Sequence, residues 1–170
     1  MIPTIETERL ILRPNREADF EPYAAFFETE RAVMRGGKKT RPEAWIQFAA
    51  EIGHWSLRGY GFWAVEEKAT GLYCGQVGLW NPDGWAEPEV GWMMTPEAEG
   101  RSIAYEAAVR ARAYAYDTLG WTRAASCISI GNDRSIRLAE RLGATFDRVF
   151  PREGKQDQVV YLHPSPEALQ

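Results

Sequence analysis

The stretch "MMTPEAEGRSIAYEAA", Met93 to Ala108, concentrates the residues best suited to hold an anion. An apolar segment passes through Pro96 and a single glycine into an alanine-rich helical pattern. The first N–H groups of a helix lack internal partners, and the helix dipole favours negative charge there. Gly100, Ser102 and Ala104 are small enough for a phosphate to approach the main chain, and Arg101 can add a full positive charge. The absence of Gly-Lys-Ser/Thr argues against a nucleoside triphosphate loop. The absence of Gly-x-Gly-x-x-Gly argues against a dinucleotide. Taken alone, the turn also fits an ordinary helix start.

The elements around it follow from periodicity. "TERLILRP" reads as a strand, and "READFEPYAAFFE" as a helix carrying Phe20, Tyr23, Ala24 and Phe27. "RPEAWIQFAAEIGHWSLRG" puts Trp45, Phe48, Ala49, Ile52 and Trp55 on one helical face. "YGFWAVEE" and "LYCGQVGLW" form a hairpin. "EVGWMMT" is a short strand whose glycine marks a bulge or a close backbone approach. A helix from about Ser102 to Thr118, the strand "WTRAASCISI" and the helix "NDRSIRLAERLG" follow, the last capped by Asn132 with Ile136, Ala139 and Leu142 inward. "ATFDRVF" and "QVVYLH" are two final strands, and the tail "PSPEALQ" is expected to be loose. The order β-α-α-β-β-β-α-β-α-β-β predicts an α/β, three-layer domain spanning residues 1–170. It has a central mixed, twisted sheet of about seven strands and helices on both faces.

The 170 residues suffice for one domain with a core that needs neither disulfide nor metal. A net charge of −4 argues against a nucleic-acid partner. Two histidines and no Cys-x-x-Cys leave too few ligands for a zinc site, so no metal is expected. Cys74 and Cys127 read as buried, reduced thiols. No apolar run approaches the roughly 18 residues of a membrane span, and "MIPTIETERL" has no signal-peptide core. A cytoplasmic protein is expected.

Three segments together resemble one family. "ETERLILRP", "EVGWMMTPEAEGRSIAYEAAVRARAYAYDTLGWTR" and "NDRSIRLAERLGATF", in that order, resemble the GNAT superfamily of acyl-CoA-dependent N-acetyltransferases, and within it the RimJ/RimL-like branch. The family's loop usually runs Arg/Gln-x-x-Gly-x-Gly/Ala. Here Glu97 takes the first place and Ser102 replaces the second glycine, while Glu99 stands where an arginine or large aromatic is common.

The resemblance implies acetyl-CoA as cosubstrate. The backbone of Trp92, Met93 and Met94 would pair with its pantetheine arm as an added strand does. Amides of Glu99, Gly100, Arg101, Ser102, Ile103 and Ala104 would hold the diphosphate, so Glu99 should point away from it. Asn132 and Arg137 would lie along the lower arm or the nucleotide, unless the first is only a cap and the second a solvated side chain.

Acyl transfer to an amine needs a base, a donor to the thioester oxygen and a proton for the leaving thiolate. Glu89 is the candidate base, against a plain strand-end carboxylate. The tyrosine many relatives use as acid is replaced by Ala139, and Ser135 is the substitute, against a local cap. Trp80, Trp85, Trp55 and Tyr60 could wall the acceptor site, and the acids Glu87, Glu89 and Asp83 would favour a cationic acceptor. The expected acceptor is a primary amine, on a protein N-terminus or a small molecule, and a homodimer is compatible. The competing reading is a non-catalytic acyl-CoA-binding or regulatory module.

Overall fold

A computed structural model describes residues 1–170. The strands are β1 (Ile5–Glu6), β2 (Leu10–Arg13), β3 (Phe62–Glu67), β4 (Tyr73–Trp80), β5 (Glu89–Met94), β6 (Ala125–Ser129), β7 (Thr145–Phe150) and β8 (Gln158–Leu162). The helices are α1 (Phe20–Glu28), α2 (Arg41–Arg58), α3 (Ile103–Asp117) and α4 (Asp133–Arg141). One mixed sheet of eight strands runs β1-β2-β3-β4-β5-β6-β8-β7. The strand beyond the expected seven is β1, a two-residue piece folded back on β2.

The helices bury opposite faces of this sheet. Phe20, Tyr23 and Phe27 of α1 and Ala44 and Phe48 of α2 pack with Met93 of β5. Ile103, Ala107, Ala108 and Ala111 of α3 pack with Val77, Leu79 and Val90 on the other face, where α4 also lies. Small alanines on α3 let the helix lie close to the sheet. The inward face of α2 differs from the expected one. Trp45 is 47 % exposed and Ala49 is exposed, whereas Glu51 and His54 are buried. Ala44, Phe48 and Trp55 supply the apolar contacts of the inward face, and Glu51 is accommodated beside them by Arg35 at 3.3 Å. Thr40 and Glu43 cap its start reciprocally, with the Thr40 amide donating to Glu43 at 2.7 Å.

The feature that makes a site is a failure of pairing. β5 and β6 are the only parallel neighbours, and they register at one pair, Glu89 with Ala125. Beyond it the strands separate. Ser126 bridges the start of the gap, its hydroxyl donating to Val90 O at 2.7 Å. Behind it, Arg112 donates to His163 Nδ1 (3.2 Å), and His163 Nε2 lies 3.0 Å from Ser126 Oγ. The start of the C-terminal tail is tied down: Tyr116 donates to Pro164 O at 2.8 Å, and a short turn covers Glu167–Leu169.

Candidate functional site

Which groups face the gap follows from the β4–β5 register. The Thr95 amide bonds Cys74 O, so in this antiparallel ladder Glu89, Gly91 and Met93 turn their main chain toward β4. Val90, Trp92 and Met94 turn theirs toward the gap. Of the three residues expected to pair with an extended ligand, Trp92 and Met94 have main-chain groups free to do so. Met93 does not: its main chain is spent on β4, and its side chain is core.

At the C-terminal end of β5 the chain makes a short turn, Pro96–Ala98, and enters α3 through Gly100 (φ 69°) and Ser102 (φ 58°, ψ 18°). Ser102 is the only non-glycine residue with positive φ. It occupies the left-handed conformation that glycine adopts freely, so the exchange of glycine for serine preserves the shape of the turn at a cost in strain. The amides from Gly100 to Tyr105 donate to no protein acceptor, and they converge at the helix start. The Glu99 amide is excluded from this set, because it already bonds Pro96 O at 3.2 Å.

Two side chains here depart from expectation. Arg101 is turned away from the cavity and ion-paired with Glu67, and its carbonyl accepts from Arg9 at 3.0 Å. Its charge is therefore not available at the turn. Glu99, expected to point away from a diphosphate, is partly exposed. It lines the cavity, paired with Arg31 and held by Arg134 at 2.9 Å. The positive charge at this wall comes from Arg31, Arg134, Arg137 and Arg141, of which Arg141 reaches Ser102 Oγ at 3.5 Å.

These groups line an open outer cavity of about 1150 Å³, which also touches Trp92, Met94, Asn132 and Ser135. An inner cavity of about 260 Å³ shares Met34, Arg35, Trp92, Asn132 and Ser135 with it and extends through the gap toward α2. Asn132 caps α4 by accepting from the Ser135 amide at 3.3 Å, while its side chain lies on both walls. Ser135 Oγ accepts from Trp92 Nε1 at 3.2 Å, which leaves the hydroxyl proton free to be donated. Ala139 is fully buried with Ile128 and Ala144, facing the core.

Glu89 lies on the inner cavity, 9 % exposed. Burial pushes its carboxyl up to about 7. Arg35, the Trp85 indole and a main-chain hydrogen bond from Cys127 pull the other way without cancelling that rise. The indole donates to Oε2 at 2.6 Å. Gly91 forms no bulge. A side chain there would meet Glu89 Oε1 and the Phe62 ring at 3.1 Å, so the glycine keeps the carboxylate's neighbourhood open. Cys127, also on this wall, is a buried thiol raised far above its ordinary value by burial and by Glu89.

Of the four aromatic residues expected to wall this space, Trp80 and Trp85 do so. Trp55 instead packs edge-on against Trp63 and donates to Phe62 O at 3.0 Å, and Tyr60 packs on Trp121. Glu87 is engaged by Arg123 (3.1 Å) and Arg148 (3.0 Å), and Glu87 and Asp83 are both absent from the wall. Sequence reasoning missed Arg35, Glu51, Arg152 and Lys155, which all line the inner cavity. No local signal singles them out: Arg35 and Glu51 sit among ordinary helix residues, and Arg152 and Lys155 share a polar turn with Glu153 and Asp157.

The acetyltransferase (GNAT) domain family matches residues 9–145. A solved acetyltransferase from Agrobacterium tumefaciens str. C58 superposes with a TM-score of 0.89 at 36% identity, over 96% of this chain and 95% of that one. YoaA of Bacillus subtilis, named an uncharacterized N-acetyltransferase, is 26% identical over 98% of this chain and 93% of its own length. YdaF of the same organism, whose name assigns it provisionally to ribosomal N-acetylation, is 32% identical over 55% of this chain and 48% of its own length. No helix is long and apolar enough to cross a membrane.

Proposed function

The chain belongs to the acetyltransferase (GNAT) domain family, whose members are acyltransferases that generally use acetyl-CoA, and from this we propose that it moves an acetyl group from acetyl-CoA to a primary amine by direct attack. The observation that carries the reading is the buried Glu89 carboxylate, raised to about 7, on a cavity that runs through the β5–β6 gap. A base with that affinity for protons is poised to take one from an amine at neutral pH.

The roles divide by position. Main-chain groups of Trp92 and Met94 would hold the extended arm of the cosubstrate as an added strand. The unpaired amides from Gly100 to Ala104 suit a diphosphate, and Arg134, Arg137 and Arg141 add charge around it. Asn132 lies where the two cavities meet. Glu89 accepts the proton that the ammonium must lose before its nitrogen attacks the thioester carbon. An unpaired strand amide such as that of Trp92 can donate to the carbonyl oxygen as it gains charge. Ser135 donates a proton to the departing sulfur and is reprotonated from solvent.

Direct attack is favoured because the one thiol on the wall, Cys127, is held protonated and is a poor nucleophile. The likeness to the RimJ/RimL-like branch, and the name given to YdaF, support a protein N-terminus as one acceptor class. One domain over residues 1–170 is part of the same proposal.

The test is acetyl-CoA turnover on a broad amine panel with the wild type and Glu89→Gln. The variant should lose about 10²–10⁴-fold in kcat while calorimetry finds CoA binding unchanged. CoA binding without turnover of any amine would favour a non-catalytic acyl-CoA-binding module instead.

A further inference from the structure

The inner cavity carries charge of both signs, and the two signs are arranged differently. Its acids, Glu51 and Glu89, are deep; each has hydrogen-bond partners, although Glu51 Oε2 is buried without one and the Arg152 charge bears on Glu89. Glu89 accepts from Trp85, and Glu51 accepts from Arg35 at 3.3 Å and Gln47 at 3.1 Å. Three of its cations, Lys39, Arg152 and Lys155, form no ion pair with any carboxylate. Arg58, Arg110, Arg137 and Arg141 also lack one, so it is the gathering of these three on one cavity wall that marks them. Arg148, on the same hairpin as Arg152, is paired with both Asp147 and Glu87. The acids nearest Arg152 in sequence, Glu153 and Asp157, do not line the cavity, and Asp157 is used by the Arg152 amide at 3.0 Å.

We propose that the acceptor is a small molecule carrying both an amine and an anionic group, the anion held by Arg152 with Lys155 and Lys39 while the amine faces Glu89. This rests on the acetyl-transfer reading and narrows it. Arg152 is held in place to meet such an anion. Its guanidinium lies 4.9 Å over the Trp85 ring, and the same ring donates to Glu89. The anion site and the base are therefore separated by one indole and its two contacts, which fits a compact acceptor whose amine and anion are a few bonds apart. A guanidinium stacked on an aromatic plane keeps its donors in a fixed fork, suited to a carboxylate or phosphoryl group.

The volume agrees, since about 260 Å³ falls just below the range of about 300–1,000 Å³ usual for drug-sized ligands. A cationic acceptor without an anion would meet like charge at these unpaired cations.

The experiment compares matched pairs: α-amino acids, short ω-amino acids and aminoalkylphosphonates, each against its neutral amide or alcohol. The anionic member should show kcat/KM higher by about tenfold or more, on the scale of a charge-assisted hydrogen bond. Arg152→Gln should bring the ratio toward one, and Arg152→Lys should retain part of it. The phosphonate and carboxylate arms decide which anion is read. Equal or better turnover of neutral members overturns the inference, as does faster acetylation of peptides with neutral N-terminal residues than of any small acid. Either result leaves acetyl transfer standing. Should no amine be acetylated, calorimetry of the same pairs against the CoA-loaded protein decides. Tighter binding of the anionic members sustains the anion site without the reaction, and equal or no binding ends it.

Discussion

Trp85 donates its indole N–H to Glu89 Oε2 at 2.6 Å, from a loop residue to the first residue of a sheet strand. This bond favours the charged carboxylate, whereas burial favours the neutral one, and burial is the larger effect. The balance leaves the group near 7, where a base is most useful in neutral solution.

Removing the donor shifts that balance in a known direction. In Trp85→Phe the carboxylate loses a hydrogen bond that stabilises its charge, so its pKa rises. The ascending limb of kcat/KM against pH, centred near 7 in the wild type, should move to higher pH. A limb that stays put, or moves down, would count against Glu89 as the group being titrated.

Glu99 places a carboxylate among the arginines of the outer cavity, paired with Arg31 and Arg134. A bound diphosphate would compete with it for those cations. Glu99→Ala should therefore tighten CoA binding. Partly exposed pairs contribute about 0.2–1 kcal/mol, so the dissociation constant measured by calorimetry should fall by about 1.5- to 5-fold. An unchanged or weaker affinity would refute the competition.

Ser102 holds a left-handed conformation at φ 58°. Relief of strain of about 1 kcal/mol favours glycine there, while the freer unfolded chain takes back about 0.4–1 kcal/mol. Ser102→Gly should leave the melting temperature unchanged or raise it by up to about 2 °C. Ser102→Val, stiff at Cβ, should lower it. Thermal unfolding of both variants checks the sign, and a marked loss of stability in the glycine variant would mean the serine side chain matters more than its backbone.

His163 is held down to about 3 by burial and by the Arg112 charge, against an ordinary value of 6.5. Between those values the unfolded chain binds a proton that the folded chain refuses. Stability is then fully present above about pH 6.5 and falls as the pH drops, by at most about 1.4 kcal/mol per unit from this group. Glu51 and Glu89, raised by burial, act in the opposite sense. The comparison with His163→Gln isolates the histidine, since the acids are common to both proteins. Urea midpoints at pH 7, 5.5 and 4.5 should converge between the two as the pH falls, and a constant difference would contradict the assignment.

The architecture was largely legible in the residues. Helical spacing in α1 and α3, the turn glycines and the run of apolar strands are local patterns, and local patterns survive without coordinates. The same holds for the turn from β5 into α3, where proline, glycine and small residues announce a helix start with free amides. Strand β1 was not legible, because two residues give no period to read. The inward face of α2 was misjudged for a different reason: a glutamate on a helix reads as solvated until a partner such as Arg35 is brought to it from another segment.

The sequence by itself determined the main helices and strands and the free main-chain amides of the turn into α3, since both depend on neighbours along the chain. Only the tertiary structure decided which side chains serve the cavity. Arg101 was drawn off to Glu67, while Arg134 and Arg141 came to the turn from α4. Glu89 acquired its raised proton affinity from burial, and the hairpin between β7 and β8 brought Arg152 against Trp85. Charges act through space and desolvation, and neither is a property of adjacent residues.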